Sequence, residues 1–327
     1  MAVTPSKIVT FELPEKRRSL WGDAWYRLVR NKASVAGMII IVAFFLIAMF
    51  AGAIAKQNPL VIHSGSDYLP PAWVEKGING KPSNPDFLLG TDTLGRDVLA
   101  RVLYGARVSM IVGIVPTLIV LIVGTIIGLI AGYFGGIWDN LLMRFTDIVW
   151  SFPDLLFFII VMIALRDTFI GNLLNGLFLL FAALAMVGWV GEARVVRGQV
   201  LSLKEKEFVE AARCIGARSG RIMFKHIMPN ALGPIIIMGA MTVPGMIITE
   251  ATLGFLGLGM RPASDPNNLP FFVTSWGTLM NEGNSAIHAQ PWLLLMPAIC
   301  VSLVVLAFTF LGDGLRDALD PRMQGTS

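Results

Sequence analysis

Six apolar stretches, roughly 36–55, 107–131, 145–165, 172–190, 230–250 and 291–312, constrain this chain more than any other feature. Each has close to the ~20 residues that an α-helix needs to cross about 30 Å of hydrocarbon. Each is expected to be helical, because an isolated strand leaves its backbone groups unsatisfied in lipid. The rest of the sequence could not cover such surfaces with water-facing residues. Only 15% of residues are charged against 55% hydrophobic, with a mean hydropathy of +0.68, where soluble domains carry about a quarter charged. The expected class is an all-α membrane protein with six transmembrane helices. Pro116, Pro153, Pro234, Pro244 and Pro297 fall inside or at the start of spans, where neighbouring helices tolerate a kink.

Basic residues set the orientation. Lys7, Lys16, Arg17, Arg18, Arg27, Arg30 and Lys32 precede the first span. Arg194, Arg197, Lys204, Lys206, Arg213, Arg218, Arg221 and Lys225 follow the fourth. With Arg144, Arg316 and Arg322, that side holds 18 of the 26 Lys and Arg. The positive-inside rule therefore places both termini and the 191–229 loop in the cytoplasm. This divides the chain into a cytoplasmic segment 1–35, a first span 36–55, an extracytoplasmic loop 56–106, a core 107–312 and a cytoplasmic tail 313–327. The small residues Ala51, Gly52, Ala53 and Ala55 resemble a cleavage site, but a long charged leader and a span-length apolar run point to a retained anchor. The Pro- and Gly-punctuated segments 56–106 and 259–288 read as ordered loops without cores of their own. Cys214 and Cys300, and His63, His226 and His288, are too scattered for a disulfide framework or a zinc site. The net charge of +4 is no nucleic-acid signature.

The 191–229 loop has its own periodicity. Phe208, Ala211, Ala212 and Ile215 fall at i, i+3, i+4 and i+7, an apolar stripe on one helix face. Gly216 interrupts, and a second apolar-rich segment, Ile222–Met228, runs up to Pro229. Gly suits the left-handed turn that ends a helix, and Pro discourages helix just before it. Two short helices with a fixed elbow are expected. On pattern alone they either dock a partner or lie on lipid headgroups, with Glu210 and Arg213 as an ordinary i,i+3 pair.

Glu210-Ala211-Ala212-Arg213-Cys214-Ile215-Gly216, followed by Ile227-Met228-Pro229-Asn230, resembles the EAA-loop signature of ABC-importer permeases, with Met228 where that family usually has Leu. Leu89-Gly90-Thr91-Asp92, Gly95-Arg96-Asp97 and Leu103-Tyr104-Gly105-Ala106-Arg107 are similar to the block after the first span in dipeptide/oligopeptide (peptide/nickel) permeases. Phe255-Leu256-Gly257-Leu258-Gly259 with Ser275-Trp276-Gly277 resembles their outer segment. Leu311-Gly312-Asp313-Gly314-Leu315-Arg316-Asp317 with Leu319-Asp320-Pro321-Arg322 resembles their C-terminal end. The resemblance implies a type I importer permease fold, an N-terminal span plus a five-helix core, in a bacterial or archaeal cytoplasmic (inner) membrane. It implies a second homologous permease, two ATP-binding subunits and an extracytoplasmic solute-binding protein as partners, besides membrane lipid. It also implies that Glu210, Ala211, Ala212 and Gly216 form the ATPase-coupling contact. The stretch Met260–Thr274 departs from the family by its length, which bears on receptor pairing. Di- or oligopeptides are the implied cargo, with nickel, glutathione or antimicrobial peptides as alternatives in the same family.

Gly124, Gly128 and Gly132 make a small-residue ridge on the second span, suited to close helix packing in lipid. Asp147, Asp154 and Glu250 lie in or near apolar spans. Each either lines a path for charged substrate or sits at a span end or in an interhelical hydrogen bond; Asp154 and Glu250 are the path candidates. An ion-driven secondary carrier would also need such residues, but gives no account of the loop. The chain has no G-x-x-x-x-G-K-S/T loop and no spaced nucleophile–base pair. It is thus expected to be a non-catalytic subunit without cofactors, with ATP and Mg on its partners.

Overall fold

The computed structural model describes residues 20–319; Lys7, Lys16, Arg17, Arg18 and the Asp320-Pro321-Arg322 motif lie outside the described residues. Helix α1 (Leu20–Arg30) leads through Asn31 into α2 (Lys32–Ile54). The Asn31 side chain accepts from the Ala33 and Ser34 amides at 3.0 and 3.3 Å, satisfying donors that the first helical turn leaves free. A turn-rich segment follows, and then Asp97 caps α3 (Val98–Phe134) through the Leu99 and Ala100 amides. Burial pushes the Asp97 carboxyl above the usual carboxylate range, against those two bonds. At 37 residues α3 is about 55 Å long and overshoots the hydrocarbon. Residues 98–106, expected as loop, are its first turns.

The expected span 145–165 is not one straight helix. Helix α4 (Gly136–Trp150) and α5 (Asp154–Leu165) meet at a 78° bend. Pro153 has no N–H to give, and the Ser151 hydroxyl donates to the Ile148 carbonyl at 2.7 Å, closing the end of α4. A short turn, α6 (Phe169–Asn172), precedes α7 (Leu177–Leu203), which continues 13 residues past the expected span end at 190.

The expected loop is correspondingly short. Helix α8 (Glu207–Cys214) is its only separate helix, because the second expected one, Ile222–Met228, does not stand alone. A first turn, α9 (Ser219–Arg221), passes through a π-helical stretch, Ile222–Ile227, into α10 (Met228–Phe255) as one continuous rod. The wider π turn has already abandoned the i→i−4 ladder, so Pro229 loses little by lacking its N–H. Beyond α10, the outer connection contains α11 (Trp276–Ser285), and α12 (Trp292–Leu319) runs past the expected span end at 312.

Five helices, α2, α3, the α6–α7 unit, the α9–α10 rod and α12, are each long and apolar enough to cross a membrane, and the bent α4–α5 pair supplies a sixth candidate span. Helix α3 packs most extensively along α7. One apolar core joins α3, α5, α7 and α10, a second joins α2, α3, α10, α11 and α12, and a third joins the ends of α3 and α7 to α8 and the π turn. The glycine ridge lies on the α3–α7 seam. A Cβ at Gly124 would lie 2.6 Å from Glu192 Cβ, at Gly128 2.5 Å from the Ala193 carbonyl, and at Gly132 2.8 Å from Val200 Cβ. Backbones approach this closely only with no side chain between them.

Candidate functional site

Helix α8 stands at the end of the α3–α7 pair. Val209 (0% exposed) and Ala212 (4%) pack onto Val196, Val200 and Ile222. Of the sequence stripe, Ala212 alone turns onto this chain's own core. Phe208 is 39% exposed, Ile215 85%, and Glu210 and Ala211 are exposed as well. The packed face is rotated roughly a quarter turn from the stripe, at 100° per residue, leaving an apolar surface that none of the described residues covers. The Glu210–Arg213 pair is not formed among the described ion pairs; the Arg213 guanidinium lies 5.9 Å from the Tyr133 ring centroid instead.

Gly216 ends α8 at φ +77°. The Ala217 amide donates to the Ala212 carbonyl at 3.0 Å and the Gly216 amide to the Arg213 carbonyl at 2.9 Å. This is the paired 6→1 and 5→2 pattern of a Schellman motif, with Ala217 against the Ala212 cluster as its apolar contact. The exit angle from α8 to the α9–α10 rod is therefore fixed by backbone bonds.

A groove of about 380 Å³ opens between α5, α7 and α10, lined by Asp154, Phe158, Val187, Thr242, Thr249 and Thr252 among others. Asp154 sits in the uncapped first turn of α5, beside the bend, where a carboxylate suits the helix dipole. The three threonine hydroxyls donate to carbonyls one turn back, at 2.8–2.9 Å. Among the residues that line this groove, Asp154 is the sole charged one.

The other two carboxylates are elsewhere. Asp147 accepts from Arg194 at 2.7 Å and holds α4 to α7, alongside a two-bond Asp139–Arg197 pair at 2.6 Å. Glu250 does not reach the groove: it is 0% exposed, packed where α10 meets α3 and α11, and accepts from the Ser109 hydroxyl at 3.2 Å. The cause is its place on the α10 face that carries Ile247 and Ala251, away from Thr249 and Thr252. A carboxylate that sequence reasoning passed over, Glu192 on α7, is 6% exposed and lies 2.8 Å from the hydroxyl of the groove residue Thr242, sharing that one proton with the Met238 carbonyl. It lies in a stretch with Gly191, Arg194 and Arg197 that reads as loop, so only the continuation of α7 makes it interior.

The outer motifs converge on a four-charge cluster in which Arg101 and Asp92 are buried and Arg96 and Glu282 half-buried. Arg101, 2% exposed, donates to Asp92 at 2.6 Å and to Glu282 at 2.9 Å, with a second, shorter contact to Glu282; Arg96 donates to the same two carboxylates at 2.7 and 3.1 Å. Two cations meet two anions, tying the 90–97 turn and α3 to α11. Gly90 and Gly95 adopt φ +74° and +78° so that the turn passes against the Leu69 and His63 carbonyls. Trp276 is wholly buried, donates to the Val102 carbonyl at 3.0 Å, and comes within 2.9 Å of where a Gly105 Cβ would be. Arg107 lies between the Tyr104 and Phe271 rings, 4.6 Å from each centroid, and fastens one end of the 260–274 stretch. At the other end the Arg261 amide donates to the Asn175 carbonyl at 2.7 Å. The backbones of α10 and α11 touch at Gly254 and Gly277.

A membrane-crossing helical bundle with a half-open, mostly apolar groove, a clamped outer cap and an exposed elbow on its basic side has the architecture of a transport permease, a membrane component. Comparison with known proteins gives the family. The model of the binding-protein-dependent transport system inner membrane component matches residues 124–325, and that of the N-terminal TM domain of oligopeptide transport permease C matches residues 19–71. The chain belongs to the binding-protein-dependent transport system inner membrane component family. It is 39% identical over 313 residues to the oligopeptide transport system permease protein OppC of Bacillus subtilis (strain 168), covering 96% of this chain and 93% of that one. It is 42% identical over 315 residues to OppC of Escherichia coli (strain K12), covering 95% and 94%. It is 39% identical over 303 residues to the dipeptide transport system permease protein DppC of B. subtilis, covering 92% and 86%. A chain of the inward-facing MetNI methionine ABC transporter superposes with a TM-score of 0.51 at 17% identity, over 68% of this chain and 96% of that one, a likeness of fold.

Proposed function

We propose that this chain forms half of the translocation path of an importer of di- and oligopeptides, driven by ATP-binding subunits that seat the α8 elbow in a cleft. The observation that carries the coupling role is the exposed apolar face of Phe208, Ala211 and Ile215 beside Glu210, mounted on a Schellman turn whose geometry is fixed by two backbone bonds. A lipid-surface helix needs no such rigid mount. The small Ala211 permits close approach by a partner, and Glu210 offers it a carboxylate. The peptide cargo follows from the relatives' names. A homologous second permease would close the open side of the groove, a solute-binding protein would deliver peptide to the outer cap, and ATP with Mg would be held by the two ATPases. Closure of those ATPases would move α8. Because α9, the π turn and α10 are one rod, the motion would reach α11 through the Gly254–Gly277 contact, a rigid-body switch between inward- and outward-facing states.

Cys214 provides the test, since it is exposed on α8. In a Cys300→Ser background, maleimide should label Cys214 readily in the isolated subunit and poorly in the assembled complex with its ATPases. Equal labelling rates in the two would remove α8 from the interface. Peptide-dependent ATPase stimulation in proteoliposomes, with receptor supplied, tests the cargo separately.

A further inference from the structure

Helix α1 has three faces. Ala24 (8% exposed) and Leu28 (5%) pack onto Leu311, Leu315 and Ala318 of α12. Trp25 and Val29 follow that buried pair by one residue and are 60% and 40% exposed. Asp23 and Arg27 precede it by one residue. At 100° per residue the apolar flank and the charged flank project to opposite sides of the docked stripe. Arg30 also lies away from the stripe and donates to the Tyr26 hydroxyl at 3.0 Å. One residue, Asn31, separates α1 from the span α2, which Lys32 opens. The C-terminal end of α1 therefore sits at the level where the chain enters the hydrocarbon, with Arg30 and Lys32 on either side of Asn31 in the chain.

We propose that α1 is an interfacial helix whose Trp25–Val29 flank lies in the headgroup–acyl boundary of the basic-side leaflet, with the positive charge of Arg27 and Arg30 on its water-facing side, and of Lys32 at the mouth of the span, drawn to an anionic phospholipid surface. Two observations select a membrane as the occupant. The flank is continuous with a membrane span across a single residue, and its basic residues outnumber the lone Asp23, complementing an anionic surface. Docking of the Ala24–Leu28 stripe onto α12 leaves Trp25 and Val29 uncovered among the described residues, as a helix resting that flank on the interface requires. The inference concerns lipid and stands apart from the cargo and from the α8 elbow.

The test uses the assembled complex in nanodiscs, carrying Cys214→Ser and Cys300→Ser so that a single introduced thiol takes an environment-sensitive fluorophore. With Trp25→Cys, lipids brominated on the acyl chain should quench the label roughly twofold, as for a group about 5–10 Å into the boundary, while aqueous iodide should not. With Asp23→Cys the preference should reverse. Adding phosphatidylglycerol to phosphatidylcholine should deepen bromine quenching at the Trp25→Cys label, and Arg27→Gln with Arg30→Gln should abolish that increment. Iodide quenching at Trp25→Cys would mean a water-facing flank, and protection from both quenchers would mean cover by protein; either overturns the proposal. Bromine quenching indifferent to phosphatidylglycerol would overturn its anionic-headgroup part.

Discussion

Gly216 and Arg101 are both structural necessities, but only one announces itself locally. Gly216 at φ +77° holds a conformation that costs an L-residue about 1–2 kcal/mol, although no atom lies within 4 Å of where its Cβ would be. Gly216→Val should therefore insert and accumulate but turn the elbow off its axis. We expect ATP hydrolysis to persist while peptide uptake per ATP falls severalfold, with Gly216→Asn, which tolerates the left-handed region, close to normal. Uptake-to-hydrolysis ratios in proteoliposomes check this, and an unaltered ratio for the valine variant would separate the turn from coupling. Arg101 is different. Arg101→Met strands Asp92 and Glu282 against Arg96 alone, and breaking a buried pair in this way costs about 3–5 kcal/mol. Lys81→Met, which removes an exposed partner of Asp67, should cost about 0–1 kcal/mol. Thermal unfolding in detergent compares the two. The Gly216 turn was legible in a seven-residue signature. The cluster was not, because Glu282 meets Arg101 across 181 positions and no short-range pattern encodes that meeting.

At the scale of the element, the glycine ridge offers the sharpest contrast between positions of one residue type. A Cβ at Gly128 would lie 2.5 Å from the Ala193 carbonyl, whereas Gly198, on α7, has nothing within 4 Å. Gly128→Ala should force α3 and α7 apart and destabilise by about 1–3 kcal/mol. Gly198→Ala, gaining helix propensity of up to about 1 kcal/mol, should be neutral or stabilising. A Tm measurement on both variants decides it, and equal shifts would deny the seam its close packing. Helix existence was readable from hydropathy, since a span-length apolar run in lipid has no alternative to helix. Helix ends and breaks were less so. Pro116, Pro234, Pro244 and Pro297 lie inside continuous helices while Pro153 ends one, and each supplies the same missing N–H. What differs at Pro153 is tertiary, with α5 turning to pack against α7. The helical stretches beyond the expected spans, 98–106 and 191–203, are charged enough to read as loop; 191–203 remains helical where it packs along Gly124, Gly128 and Gly132 of α3, and 98–106 where it packs against Trp276 and Leu279 of α11. The apolar stripe of α8 was a true periodicity, read as facing a partner or lipid; Phe208, Ala211 and Ile215 are exposed among the described residues, while Ala212 turns onto α7 and the π turn.

At the scale of the whole molecule, the proposed half of a path has one wall in this chain. Its groove is walled by α5, α7 and α10 and open opposite them, and Asp154 is the one charge among its lining residues. Glu192 stands behind it, bonded to Thr242, while Arg194 and Arg197 are already committed to Asp147 and Asp139. The proposed half-path is thus acidic, and on that reading a cargo's positive group should cross it more easily than a negative one. Removing the Asp154 charge should narrow the preference for lysine-containing over glutamate-containing peptides. A unit pair about 4 Å apart in a water-filled groove is worth about 1 kcal/mol, or roughly fivefold. Asp154→Asn should lower that uptake ratio by up to this factor, and by less at high salt. Glu250→Gln serves as the contrast. Its side chain is fully buried against Ser109 and away from the groove, so the substitution should leave the ratio intact and act on stability or assembly. Competition uptake with the two peptide classes at matched concentration reads both variants. A ratio that moves with Glu250→Gln and not with Asp154→Asn would place the path on the other face of α10, among α3 and α11. The groove between α5 and α7 would then be a packing gap for the second subunit rather than a passage.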